Sequence, residues 1–242
     1  MTLDDVLTSL FPTGHQVERG PAGTLHGLAK VEGHDKVTIV GIVGATPLGV
    51  DAAILLAGHV LAAVEAGDRA PILFLADTSS QNMARRDELL GLNEYLAHLI
   101  KSLALAAAHG HRTGSLLFGP AAAGAFIAAA LSSQSLVALP GAAPSVMDLP
   151  SISRVTKLPL EQLQRLAKST SIFAPGVGPL FAIGAVTQTW AADQPIAPRL
   201  ADLLWQTSAA SDHRDRIGLE RKGRLLAQKI AERVAAEAVA HA

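Results

Sequence analysis

Two short segments place small residues where a buried strand runs into a helix, an arrangement that leaves backbone N–H groups bare for chemistry. The first is Pro47-Leu48-Gly49-Val50, after the β-branched run from Lys36 to Val43. The second is Leu116-Leu117-Phe118-Gly119-Pro120, continuing as Ala121-Ala122-Ala123-Gly124-Ala125-Phe126. Proline suits a first helical position, because its missing N–H is one of the donors a helix start leaves unpaired. The second helix is therefore expected to open at Gly119-Pro120. A helix's first turn offers unpaired donors and roughly half a positive charge, a seat for an anion or a developing oxyanion. Two such turns facing each other could supply donors from different segments, the geometry an oxyanion hole needs. Ordinary strand-to-helix turns, and small residues that only let elements pack closely, read the same way. The residues alone leave both readings open.

Other candidates carry less. His109-Gly110-His111 has no third ligand nearby and falls where a helix should end, so a solvated turn is expected and no metal site. Ser145, Ser151 and Ser153 lack the G-x-S-x-G setting of a serine hydrolase. Gly176-Val177-Gly178 runs into Pro179 and fails as a dinucleotide fingerprint. The doublet Arg85-Arg86 could bind an anionic group or a partner, since two cations at the positive end of a helix oppose its dipole. Asp87 and Glu88 beside it could equally balance the charge.

The elements that must position these residues follow from periodicity. Helices are expected over 2–11, with Thr2 as cap, over Val50 to Ala66, with Gly67 as C-cap, and from Arg85 to about His109 with a break near Gly91. Strands are expected at Lys36 to Val43, Pro71 to Asp77, Ser115 to Phe118, Leu136 to Pro140 and Ile183 to Trp190. Residues 12–33 read as loops with one strand near Leu28 to Val31. Gly141 to Pro150 and Phe173 to Pro179 read as loops, around a short element at Ile152 to Leu158 and a helix from Leu160 to Lys168. Pro198-Arg199 opens a helical tail, with one basic amphipathic helix from about His213 to Val239. Its mixed charge favours a solvated face over an RNA patch. Strands alternating with helices at crossover length indicate an α/β fold with parallel pairing. One domain over residues 1–242 is expected, its helical tail beginning near residue 198.

Composition narrows the class. Hydrophobic residues make up 49% of the 242 residues, charged residues 17% and aromatics 4%. So little surface charge implies that part of the surface is covered by a partner subunit. A net charge of −1 gives no pull toward nucleic acid or an anionic membrane. With no cysteine there is no disulfide frame and no thiolate ligand or nucleophile. No apolar run reaches the ~20 residues of a membrane helix. Asp4 and Asp5 stand where a signal peptide needs basic residues, so a cytoplasmic location is expected.

Taken in order, the segments from about Val37 to Leu158 resemble the carboxyltransferase branch of the crotonase superfamily, and within it the gamma subunit of biotin-independent malonate decarboxylase. The likeness rests on Gly41-Ile42-Val43 through Thr46-Pro47-Leu48-Gly49-Val50-Asp51, and on Phe74-Leu75-Ala76-Asp77-Thr78. It continues through Arg85-Arg86-Asp87-Glu88-Leu89-Leu90-Gly91-Leu92-Asn93 and Gly119 to Phe126. It ends with Val137-Ala138-Leu139-Pro140-Gly141-Ala142 and Val146-Met147 through Arg154-Val155-Thr156-Lys157-Leu158. Two departures stand out. The family usually has Pro-Gly after the strand-ending acid, whereas Asp77-Thr78 runs into Ser79-Ser80. Its central turn usually pairs glycines with aromatics, whereas here it reads Ala121-Ala122-Ala123-Gly124.

The resemblance implies a crotonase/ClpP-like α/β spiral of ββα units with C-terminal helices, acting at a subunit interface. It implies a homologous beta subunit, an acyl-carrier subunit and an acyl-carrier transferase subunit as partners. The substrate would be a malonyl thioester on the carrier, whose prosthetic arm is a phosphoribosyl-dephospho-coenzyme A. This chain itself would bind no cofactor. The products would be the acetyl thioester and carbon dioxide. By the same logic the beta subunit's hole holds the thioester oxygen, while backbone groups at Gly49-Val50 and Ala123-Gly124 face the departing carboxylate, with Arg85 and Arg86 available to substrate or partner. Two other readings stay open. One is a structural subunit whose partner holds the catalytic groups. The other is a stand-alone hydratase or isomerase, which needs paired carboxylates over the hole, yet no acid follows the central turn before Asp148.

Overall fold

A computed structural model describes residues 1–31, 33–171, 174–191, 193–206 and 212–240. Phe173, at the head of the expected Gly/Pro loop, and the last two residues of the tail lie outside them. The described residues pack as two compact units, Met1–Met147 with Gln188–Ser211, and Asp148–Thr187 with Asp212–Ala242.

The first unit is built on one sheet. Strands β1 (His15–Arg19), β2 (Thr24–Val31) and β3 (His34–Ile42) form an antiparallel meander. Then β4 (Ile72–Thr78), β5 (Thr113–Ala122), β6 (Ser135–Ala138) and β8 (Gln188–Thr189) follow β3 in parallel, and β7 (Ala143–Ser145) pairs with the far end of β5. The strands lie side by side in chain order apart from β7. This is the α/β spiral that the resemblance implies.

Both faces of the parallel strands are covered, so they read as continuous apolar runs. Val37 and Ile39, Leu73 and Leu75, Leu116 and Phe118, and Val137 and Leu139 alternate into one core layer with Val6, Leu7 and Leu10. Those three belong to α1 (Leu3–Leu10), closed by a capping box between Thr2 and Asp5. The intervening residues, Val40, Phe74 and Leu117 among them, are buried on the other face. There α2 (Val50–Ala66) and α4 (Leu92–Ala108) pack together, after the short α3 (Arg85–Leu89).

The region 12–33 holds a hairpin rather than loops with one strand. Strand β1 is a polar, mostly exposed edge, His-Gln-Val-Glu-Arg, so no buried alternation marks it. Gly27, at φ 153°, lies where a side chain would run into the backbone of Gln16. The expected loop from Gly141 contains β7, and α6 begins at Leu149 (Leu149–Thr156).

A histidine pair joins the meander to α2. His26 on β2 stacks on His59 of α2 with ring centroids 4.2 Å apart and planes 7° from parallel. Burial, then the neighbouring His26, holds His59 below its ordinary pKa. Glu18 faces the pair, its carboxylate 3.8 Å from His26 Nε2. Unfolded, His59 takes up its proton near pH ~6.5, whereas folded it resists. Stability is therefore present above that value and falls as the pH drops toward the folded pKa. The melting temperature should decline between about pH 7 and 5, and His59→Phe, which keeps a ring on His26, should flatten that slope. An unchanged slope would contradict the coupling.

The second unit is helical: α6, α7 (Leu160–Ser169), α8 (Val177–Ala182), α10 (Arg214–Glu220) and α11 (Leu225–Ala240). The expected strand Ile183 to Trp190 shrinks to β8. Its early carbonyls serve Arg221 instead, which donates to Phe181 O and Val186 O at 2.9 Å each and to Thr187 O at 2.8 Å. The guanidinium also lies 3.6 Å over the Phe181 ring. The single expected tail helix is two. Lys222, at φ 59°, turns left-handed after α10, and Lys222 N–H and Gly223 N–H donate back to Leu219 O and Gly218 O. That double bond pattern is a Schellman stop. In the first unit the tail's helical structure opens at α9 (Ile196–Ala201), two residues before Pro198.

Candidate functional site

The end of β5 decides where the second turn stands. Gly119-Pro120 does not open a helix. Pro120 is still in the strand, paired with Ala143 of β7, and the helical run α5 (Ala123–Phe126) starts three residues later. The pairing with β4 steps from Ala76↔Leu117 to Thr78↔Ala121, a bulge that gives the N–H-less proline a place in a strand. Gly119 sits in that bulge because a side chain there would strike the Asp77 carboxylate, which accepts the Gly44 N–H at 2.9 Å. At the head of α5, Ala123 is held at φ 52°. A left-handed alanine costs about 1–2 kcal/mol, which marks this turn as one the surrounding structure enforces.

The first turn is as expected, with Gly49 as N-cap of α2 in extended conformation. A side chain at Gly49 would meet Asp87 Oδ2.

One polar loop joins the two turns. Leu48 and Gln81 form a parallel bridge, with Leu48 N donating to Ser80 O and Asn82 N donating to Leu48 O, both at 2.9 Å. Gln81 then reaches across, its Oε1 accepting the Gly124 N–H at 2.9 Å. So one loop bonds to both turns, through residues that the sequence presented only as a polar connector.

Both donors have partners inside the chain, of different character. The Val50 N–H donates to Asp87 Oδ2 at 3.2 Å, and that oxygen also accepts from Asn82 Nδ2 at 2.9 Å. Arg86 holds the other oxygen at 3.2 Å. Asp87 is 3% exposed, so the N-terminus of α2 is already capped by a buried, triply held carboxylate. Among the described residues the Gly124 donor faces only a neutral amide, at a half-buried position.

The arginine doublet separates. Arg86 forks onto Asp51, in the first turn of α2, at 2.8 and 3.0 Å. That contact holds the Asp51 carboxyl below its usual range and raises Arg86. Its charge thus balances two acids. Arg85 is exposed and has no ion-pair partner among the described residues. Elsewhere, His111 is buried with Nδ1 2.8 Å from Ala70 O, a structural bond. Ser151 and Ser153 serve the local bonds of α6.

Large apolar side chains stand exposed on the segments that carry these turns: Met83 and Leu89 at 70% and 76%, and Leu90, Ile127, Val146 and Met147 to lesser degrees. Among the described residues no helix is long and apolar enough to cross a membrane.

Over 124 residues the chain is 30% identical to the malonyl-S-ACP:biotin-protein carboxyltransferase of Malonomonas rubra, a match covering 50% of this chain and 42% of that protein. The chain thus spans less than half the length of that curated relative. A Pseudomonas malonate decarboxylase hetero-tetramer in complex with coenzyme A matches at TM-score 0.80 and 22% identity, over 94% of this chain and 97% of that one. The Pseudomonas MdcD–MdcE hetero-dimer matches at 0.76 and 24% identity, over 96% and 97%. The transcarboxylase 12S core matches at 0.69 and 16% identity, over 84% of this chain and 39% of that one. At these identities the solved structures show a shared fold. The family model of the malonate decarboxylase gamma subunit matches residues 43–238, from just after β3 into the last helix, and the chain belongs to that family.

Proposed function

We propose that this chain pairs with a homologous beta subunit and acts in decarboxylating a malonyl thioester, borne on an acyl-carrier subunit, to the acetyl thioester and carbon dioxide. The observation that carries this reading is the Gly124 N–H, presented on a strained, half-buried turn and engaged by one neutral side chain.

As carbon dioxide leaves, the electron pair of the breaking C–C bond moves onto the thioester carbonyl as an enolate, which then takes a proton drawn from solvent at its methylene carbon to give the acetyl thioester. A backbone donor placed for charge that develops in a reaction of this kind contributes about 3–4 kcal/mol in other oxyanion holes. That term belongs to the donors on the thioester oxygen, whereas a donor on the malonyl carboxylate binds and orients a charge that falls as carbon dioxide leaves. In the proposed arrangement the beta subunit's donors hold the thioester oxygen and the Ala123-Gly124 turn faces the malonyl carboxylate. The Gly49-Val50 turn shapes the wall beside it, since its donor is committed to Asp87. Arg85 is the cation available to the phosphates of the carrier's phosphoribosyl-dephospho-coenzyme A arm. The exposed apolar residues around the turns form the surface that the beta subunit covers. An acyl-carrier transferase subunit would load the carrier.

A second reading has its own support. The relative from Malonomonas rubra carries a name that assigns it carboxyl transfer to a biotin protein. The fate of the carboxyl group separates the two. The complex would be given carrier thioester labelled in the free carboxyl, with and without a biotin carrier protein. Label released as carbon dioxide at the same rate in both supports decarboxylation. Label that leaves only when the biotin protein is present, and appears on it, supports transfer.

A further inference from the structure

We propose that Gln81 is a displaceable occupant of the Gly124 donor, holding it in the absence of acyl ligand and setting how tightly that ligand binds. The inference rests on the proposed acyl site at Gly124. Its basis is an asymmetry in how Gln81 is held. The backbone is fixed, through the bridge to Leu48 and the bonds on either side of it. The side chain has one strong bond, from the Gly124 N–H to Oε1 at 2.9 Å. Among the described residues its Nε2 finds only the Met83 thioether, 3.6 Å away, and Met83 is exposed. Thioether sulfur is a weak acceptor. A long side chain with one directed contact can leave at the cost of that contact.

The neighbouring turn shows the alternative. At Val50 the occupant is a carboxylate, buried and held by three donors, which a ligand cannot displace cheaply. At Gly124 the occupant is neutral, so an incoming carboxylate oxygen forms the stronger, charge-assisted bond and wins the donor. The amide carbonyl thus stands in for the ligand oxygen in the resting state. It also spares the half-buried N–H from being left unpaired.

The test uses the reconstituted complex with malonyl-carrier thioester as the probe. Gln81→Ala removes the competitor, and KM should fall about two- to tenfold, the worth of one net neutral hydrogen bond. Gln81→Glu installs a charged occupant, and KM should rise by about tenfold or more. Acid should relieve that rise as the new carboxyl protonates, near its ordinary pKa of ~4.3. If Gln81 only braces the loop, Gln81→Ala would lower the melting temperature and leave KM unchanged or higher, and the proposal would be overturned. Gly124→Val tests the underlying reading separately. Full turnover in that variant would remove the acyl site from this turn, whatever the Gln81 variants do.

Discussion

Gly124→Val is expected to lower kcat/KM of the assembled complex by about 10–100-fold, the worth of one hydrogen bond to a charged group, while the subunits still associate. A Cβ at position 124 would lie 3.2 Å from Leu96 Cδ1 and 3.4 Å from Gln81 Oε1, tight contacts that flexible side-chain ends can accommodate. Gly124 is not among the left-handed glycines, so the substitution adds no backbone strain. Valine's two γ-methyls would then stand over the N–H and exclude a ligand oxygen from it. A β-branched residue near a helix start costs under about 1 kcal/mol of propensity, so the fold should survive. The measurement pairs steady-state kcat/KM with the mass of the purified complex. Turnover that follows only the amount of complex formed would assign this turn a structural role.

Asp87→Ala should be the most damaging change to stability near the site, at about 2–4 kcal/mol. The carboxylate is buried and gathers the Val50 N–H, the Asn82 amide and Arg86. Removing it strands a buried donor at the first turn of α2 and frees the loop that carries Gln81. For a chain of this length each kcal/mol corresponds to roughly 2–4 °C in melting temperature, so a drop of about 5–15 °C is expected. Asp87→Asn should cost less, since its carbonyl can still accept from Val50 and Asn82, although its amide then faces the Arg86 donor. A change of under about 2 °C for Asp87→Ala would contradict the bonding described here.

The parts of the fold that read well from sequence are those buried on both sides. Strands β3 to β6 are β-branched or apolar runs ended by Gly, Pro or an acid, and α2 carries its own stop at Gly67. The parts that read poorly depend on distant partners. Strand β1 is polar because it is an edge, β7 is three residues whose pairing is set by β5, and the carbonyls before β8 belong to Arg221. Proline misplaced the second turn: Pro120 reads as a helix start, but the bulge against β4 lets the strand run on to Ala122.

At the site, the sequence identified the two turns by their small residues. It did not reveal what occupies their donors. Gln81 and Asp87 lie 43 and 37 residues from the groups they bind, a pairing that local spacing does not encode. One clue was present. Asp87 follows two arginines at the start of a helix, and of the three only Asp87 is buried.

In the proposed assembly this chain supplies groups to a site completed by its partner. The deciding measurement is decarboxylation of malonyl-carrier thioester with this chain alone, with the beta subunit alone, and with the two mixed. Activity in the mixture and in neither chain alone is the predicted result. Full activity in the beta subunit alone would reduce this chain to a scaffold, and activity in this chain alone would contradict a shared site.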